Sequence, residues 1–288
     1  MPEPIRDQWT EWLLHRRHGG DPEQLQRTLA FLYPVRDQVL DSARVADGET
    51  VLDVGTGDGL IAFGALERVG AEGRVIFSDV SQDLLDHARD LAQRLDGFDR
   101  CHFVRAPAEN LAPIADASVD VVTTRSVLIY VADKRRALTE LFRVLRTDGR
   151  ISLFEPINRF GYDQTKYDTT PIKEIAAKVS AVYKRLQPRE TDPMVDFDER
   201  DLLIFAEEAG FREIHLELQV AIVPCEPQPW ETALRSAGNP RVPTLAEAML
   251  QALTLDEAER YAAHMRPLVE GGRGVERNAM AYLWAVKR

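Results

Sequence analysis

The segment Val51-Leu52-Asp53-Val54-Gly55-Thr56-Gly57-Asp58-Gly59 carries three glycines at alternate positions, and Asp79 follows twenty residues past Gly59. Glycines in such a turn permit positive φ and let a ligand approach the backbone closely. A carboxylate ending the next strand can accept hydrogen bonds from both ribose hydroxyls of a nucleoside. Together they point to a nucleoside cofactor; the bland alternative is a glycine turn without a ligand. The dinucleotide fingerprint wants another glycine three places after its second, and Leu60 stands there instead. Asp53 and Asp58 flank the loop with negative charge, poor company for a pyrophosphate and suited to a cationic ligand.

Two further segments hold chemistry where a ligand on an open α/β sheet would lie, beyond carboxyl strand ends. One is Thr124-Arg125-Ser126-Val127-Leu128-Ile129-Tyr130, the other Glu155-Pro156-Ile157-Asn158-Arg159. Tyr130 and Glu155 are the candidate acid–base groups facing an acceptor. Against that, Tyr130 can pack at a helix start, and Glu155 can cap an adjacent helix or pair with an arginine. The N-terminal Trp9, Trp12, His15, Arg17, His18 and Tyr33 are further aromatic and polar candidates. Trp9 and Trp12 share one helix face, which suits a core or a homodimer contact as well as a substrate box. His15 and His18 lack a carboxylate at ligand spacing, so no metal site is read. Cys101 and Cys225, the chain's two cysteines, lie far apart without metal-ligand spacing, excluding a disulfide scaffold and a cysteine-rich zinc site.

The elements that must position these groups alternate between β-branched runs and amphipathic helical stretches, the pattern of a parallel sheet covered on both faces. Strands are predicted at Thr50–Val54, Arg74–Asp79, Cys101–Arg105, Val119–Thr124 and Arg150–Glu155. Helices are predicted at Leu60–Val69 and at Asp83–Leu95, where Leu84, His87/Ala88, Leu91 and Leu95 form one stripe. Asp133 caps a helix with Ala137, Leu138, Leu141, Phe142 and Leu145 inward and Gly149 past its end. After Pro156 the alternation stalls over 157–197, with a helical piece around Ile172–Leu186. It resumes with a helix at Glu199–Ala209, stopped by Gly210, and with Leu216, Leu218, Val220 and Ile222 on an antiparallel edge strand. A proline-punctuated helical stretch, Pro224–Gly274, precedes a last strand at Met280–Val286. At the start, Asp21-Pro22 offers an N-cap and first-turn proline, with Leu25, Leu29 and Leu32 behind it. The reading is one α/β domain with three helical additions.

Its 288 residues suffice to bury a sizeable core. A net charge of −11 with no segregated basic face argues against nucleic acid, since the densest basic runs, Arg16-Arg17 and Lys134-Arg135-Arg136, sit beside acids. No apolar run approaches the roughly 20 residues of a membrane helix. Glu3, Asp7 and Glu11 stand where a signal peptide would be basic then apolar, so a cytoplasmic protein is expected. Arginine outnumbers lysine 30 to 6, a bias common in GC-rich bacterial genomes.

Val51–Gly59, Asp79 and Ala106–Leu111 resemble the motifs of class I S-adenosylmethionine-dependent methyltransferases, particularly the small-molecule group similar to ubiquinone and menaquinone methyltransferases. Leu145-Arg146-Thr147-Asp148-Gly149-Arg150 resembles the family's turn before strand five. The resemblance covers roughly 45–156 well, and 198–223 and 275–288 by topology only. It implies a seven-stranded Rossmann-like sheet with the last strand antiparallel, in one methyltransferase domain over 1–288. Its core would be 45–158, 198–223 and 275–288, with a helical cap of 1–44, 159–197 and 224–274. It implies S-adenosyl-L-methionine as cofactor, S-adenosyl-L-homocysteine as product and a small-molecule acceptor. It also implies a cofactor site of Asp53, Gly55, Thr56, Gly57, Gly59, Asp79, Val80, Ala108, Glu109, Arg125 and Ser126. Where the family often has an acidic residue before Ala108-Glu109-Asn110, this chain has Pro107, leaving the Ala108 N–H and nearby Glu109 to meet the adenine.

In-line methyl transfer requires positioning, exclusion of water and, for oxygen, acidic nitrogen or carbon acceptors, removal of a proton. The insertions fit a closing lid and a specific organic acceptor, and the arginine-rich composition fits bacterial specialised metabolism. The related arsenite enzymes use several thiolates, which two cysteines disfavour. The rivals are an NAD(P)-dependent oxidoreductase and a catalytically silent cofactor-binding regulator.

Overall fold

The computed structural model describes residues 7–95 and 97–288; Glu3 of the acidic start lies outside them. In chain order the elements are α1 (Gln8–Glu11), α2 (Pro22–Ser42), β1 (Thr50–Val54), α3 (Leu60–Arg68), β2 (Arg74–Asp79) and α4 (Gln82–Ala92). They continue with β3 (Cys101–Arg105), β4 (Val119–Arg125), α5 (Lys134–Val144), β5 (Leu145–Pro156), α6 (Lys173–Leu186) and α7 (Glu199–Ala209). The last are β6 (Arg212–Pro224), α8 (Trp230–Arg235), α9 (Leu245–Ala252), α10 (Leu255–Glu270) and β7 (Val275–Val286).

The strands form one seven-stranded sheet in the order β3-β2-β1-β4-β5-β7-β6. Strands β3, β2, β1, β4 and β5 are parallel, and β7 runs antiparallel to β5. Parallel neighbours need helical crossovers, which explains the alternation in the sequence. The order reverses between β1 and β4, so a crevice opens beyond their carboxyl ends. Val54 sits level with Ser78 on one side and Thr124 on the other, bringing the tips of β1, β2 and β4 together.

The chain divides into two compact units. One holds Ala30–Ile157, Phe197–Gln219 and Met280–Arg288. Its core packs α2 residues Val39 and Leu40 and α3 residues Ile61 and Ala65 with sheet residues Val51, Val75 and Phe77. The other comprises the segment ending at Leu29, Asn158–Asp196 and Val220–Ala279. Two of the three helical additions build a core of their own there, with Ile175, Val179, Trp230, Met249, Tyr261 and Met265 buried. Two cores rather than one make two units, and each fully buried aliphatic side chain contributes about 1.5–3 kcal/mol.

The sheet unit begins at Ala30, and the second half of α2 buries Val35, Val39 and Leu40 in it. Asp21 does cap α2, accepting from the Glu23 and Gln24 N–H groups. Leu25, expected on a buried stripe, is exposed. Strand β5 begins at Leu145, five residues before the predicted Arg150, and runs through the turn before it. Asp148 takes a left-handed φ of 63° there, its N–H donates to the Lys287 carbonyl, and the Lys287 N–H donates to the Gly149 carbonyl. Helix α4 stops at Ala92, leaving Leu95 exposed.

Candidate active site

The turn after β1 adopts left-handed backbone at alternate residues, with φ of 67° at Gly55, 55° at Gly57 and 88° at Gly59. The Thr56 N–H donates to the Ser78 carbonyl at 2.9 Å, tying the turn to β2. Asp79 secures it further: Oδ2 accepts from the Gly57 N–H and Oδ1 from the Ser81 N–H, each at 2.9 Å. A Cβ on Gly55 would lie 2.3 Å from a methyl of Val127, and one on Gly59 2.5 Å from the Phe63 ring. The turn is therefore closed against its neighbours where a side chain would otherwise stand.

Asp53 lies buried beneath the turn, accepting a hydrogen bond from the Thr123 hydroxyl at 2.8 Å. Burial pushes its pKa up to about 7, opposed by the Thr123 and Thr56 hydroxyls and the charge of Arg125. Thr56 is buried with it, while Val80 is exposed just past Asp79. The Ala106 N–H donates to the Asp79 carbonyl, carrying the chain to buried Ala108 and half-buried Glu109. Among the described residues, Asp58 Oδ1, Ser78 Oγ and Thr124 Oγ1 are buried polar atoms with no hydrogen-bond partner in the protein.

Arg125 at the end of β4 and Ser126 after it are half-buried, and Ser126 has a left-handed φ of 57°. A single 3₁₀ turn, Leu128–Tyr130, follows, with Tyr130 half-buried at its end. Glu155 corrects the expectation of a base open to an acceptor. Its side chain is fully buried; Oε1 accepts from the N–H groups of Val127 (2.9 Å) and Leu128 (3.0 Å), and Oε2 from that of Ile129 (3.2 Å). The capping alternative is the arrangement observed. Burial pushes the Glu155 pKa up to about 7, against the pull of those three N–H groups and of Lys134.

Residues 46–199 match the model of the methyltransferase domain family. The chain is a class I S-adenosylmethionine-dependent methyltransferase. It is 32% identical over 186 residues to the ubiquinone/menaquinone biosynthesis C-methyltransferase of Cronobacter sakazakii, covering 61% of this chain and 71% of that one. The arsenite methyltransferase of Halobacterium salinarum is 29% identical over 175 residues, covering 60% and 40%. In fold, the methyltransferase resembles a chain from Bacillus halodurans described as a methyltransferase, with a TM-score of 0.54, 20% identity, and 88% and 98% of the two chains covered. S-adenosylmethionine is its cofactor.

The methyltransferase's residues fit that group. The glycine turn has left-handed backbone, Asp79 ends β2, and the buried, unpartnered Asp58 Oδ1 offers an acceptor to a cation. No cluster of three or more His, Cys, Asp or Glu among the described residues could hold a metal ion, and no described helix is long and apolar enough to cross a membrane. Sequence reading missed Lys134, which is buried and donates to the Val131 carbonyl at 3.0 Å. Its spacing was a usable signal, because Lys134 stands four and seven residues before Leu138 and Leu141 on the inward stripe of α5. Thr123 and Val127, which hold Asp53 and close on Gly55, carry no sequence signal of their own.

Proposed function

We propose that this methyltransferase methylates a small organic acceptor, in bacterial specialised metabolism. The observation that carries the reading is the acidic glycine turn held by Asp79, with Asp58 Oδ1 buried and unpartnered beside it. Bound there, S-adenosylmethionine supplies an electrophilic methyl on a sulfonium. Asp79 accepts from the ribose hydroxyls, Val80 and Ala108 lie against the adenine, and Glu109 stands nearby in place of the family's usual acid. Gly55, Gly57 and Gly59 admit the cofactor to the backbone, and Asp53 and Thr56 support the turn from below. Arg125 and Ser126 meet the methionine end. Tyr130 orients the acceptor or its proton, and Glu155 acts on the backbone rather than on substrate.

A small acceptor is supported by the likeness to the quinone-biosynthesis C-methyltransferase. The arsenite reading is weaker: of two cysteines in the chain, both are buried, and burial raises both thiol pKa values. Thiolates able to take an arsenical are thereby disfavoured. Incubation with S-adenosylmethionine and a panel of phenols, quinols and β-dicarbonyls, with S-adenosylhomocysteine release as readout, tests the proposal. Acceptor-dependent release is expected; release only with arsenite would overturn it.

A further inference from the structure

The tip of β5 does more to the segment after β4 than end a strand. Four successive backbone N–H groups point at it: that of Ser126 donates to the Phe154 carbonyl at 2.8 Å, and those of Val127, Leu128 and Ile129 to the Glu155 carboxylate. From the other end, Lys134 Nζ donates to the Val131 carbonyl and lies 4.7 Å from the centroid of the Phe197 ring. Both charged side chains are buried, Glu155 at 0% and Lys134 at 4% exposure, and the charge of Lys134 favours ionised Glu155.

Buried charged groups stabilise a fold little better than well-packed apolar side chains of the same volume. What these two supply is direction. Hydrogen bonds to charged groups are shorter and stronger than neutral ones, so these two buried side chains set the backbone of one short segment. That segment needs holding. Ser126 adopts a left-handed conformation few serines take, and the Val127 side chain fills the space a Cβ on Gly55 would occupy.

We infer that Glu155 and Lys134 are positioning residues, which fix residues 125–131 so that Arg125 and Ser126 meet the amino-acid end of the cofactor. This rests on the roles proposed above for Arg125 and Ser126. Neither charged group touches the cofactor or the acceptor; both act through the backbone they hold.

The test is calorimetric, with two probes: S-adenosylhomocysteine, and 5′-methylthioadenosine, which lacks the amino-acid end. Glu155→Ala should weaken S-adenosylhomocysteine binding by about tenfold, in line with loss of hydrogen bonds to a charged group, and leave 5′-methylthioadenosine within about twofold. Glu155→Gln should recover much of the loss, because its amide oxygen can still accept from Val127 and Leu128. Lys134→Met should shift S-adenosylhomocysteine alone, in the same direction. Equal weakening of both probes, or no weakening in a folded variant, would overturn the inference. Should Glu155→Ala fail to fold, Glu155→Gln and Lys134→Met decide by the same criterion. A wild-type protein that binds neither probe would contradict the cofactor site itself and this inference with it.

Discussion

The Gly57 N–H donates to Oδ2 of Asp79 at 2.9 Å, so the carboxylate proposed to take the ribose also holds the turn that admits the cofactor. Each carboxylate oxygen has a second lone pair, so Asp79 can accept from ribose hydroxyls without releasing Gly57 or Ser81. The two tasks are coupled through one side chain at the end of β2.

Asp79→Ala should therefore weaken S-adenosylhomocysteine binding by about 1.5–3 kcal/mol, the range for hydrogen bonds to a charged group. Titration calorimetry on a variant with a native melting profile measures it. An unchanged affinity would place the ribose elsewhere.

Gly57→Val should abolish cofactor binding while the sheet stays folded. Gly57 has φ of 55°, where a β-branched residue is strained by roughly 1–3 kcal/mol. Circular dichroism and calorimetry on the same sample separate the two effects. Normal binding of S-adenosylhomocysteine would mean the pocket is not here.

Asp53 makes stability depend on pH with a definite sign. Burial raises its pKa from 3.8 to about 7, against Thr123, Thr56 and Arg125 and with Asp79. In the unfolded chain it loses its proton near 3.8, whereas the folded chain keeps it to about 7. Its contribution is full below about pH 3.8 and lost as pH rises through about 7. Asp53→Asn keeps the acceptor for Thr123 but cannot titrate. The Tm of the wild type relative to this variant should fall across that window and level off above it. A constant gap between the melting curves would remove the buried proton from the account.

Tyr130→Phe should lower kcat by about 10²-fold or more with a hydroxyl or acidic-carbon acceptor, while S-adenosylhomocysteine affinity holds. Steady-state kinetics beside calorimetry read the split. Near-normal turnover would remove Tyr130 as an acid–base group and leave catalysis to positioning.

The limits of β1, β2 and β3 are legible because each is a compact β-branched or aromatic run between turn residues. The early start of β5 is not, because Thr147-Asp148-Gly149 reads as a turn and is drawn into the strand by Lys287, far along the chain. The glycine turn and Asp79 are local features, and sequence places them directly. The fate of Glu155 is not local: which backbone crosses a strand end, and whether its N–H groups point at the carboxylate, depends on packing of β4 beside β5. Lys134 hides within a basic run, although it shares the inward stripe of α5. Which residues build the second core is not legible, because helical stretches without strands between them give no period that says which will pack together.

Methyl transfer to a small molecule is measured most directly by following an isotopically labelled methyl group from S-adenosylmethionine. With a panel of small organic acceptors added, the account predicts label in a low-molecular-weight product and an equal release of S-adenosylhomocysteine. Label entering only protein or nucleic acid, with every small acceptor left unmethylated, would contradict it.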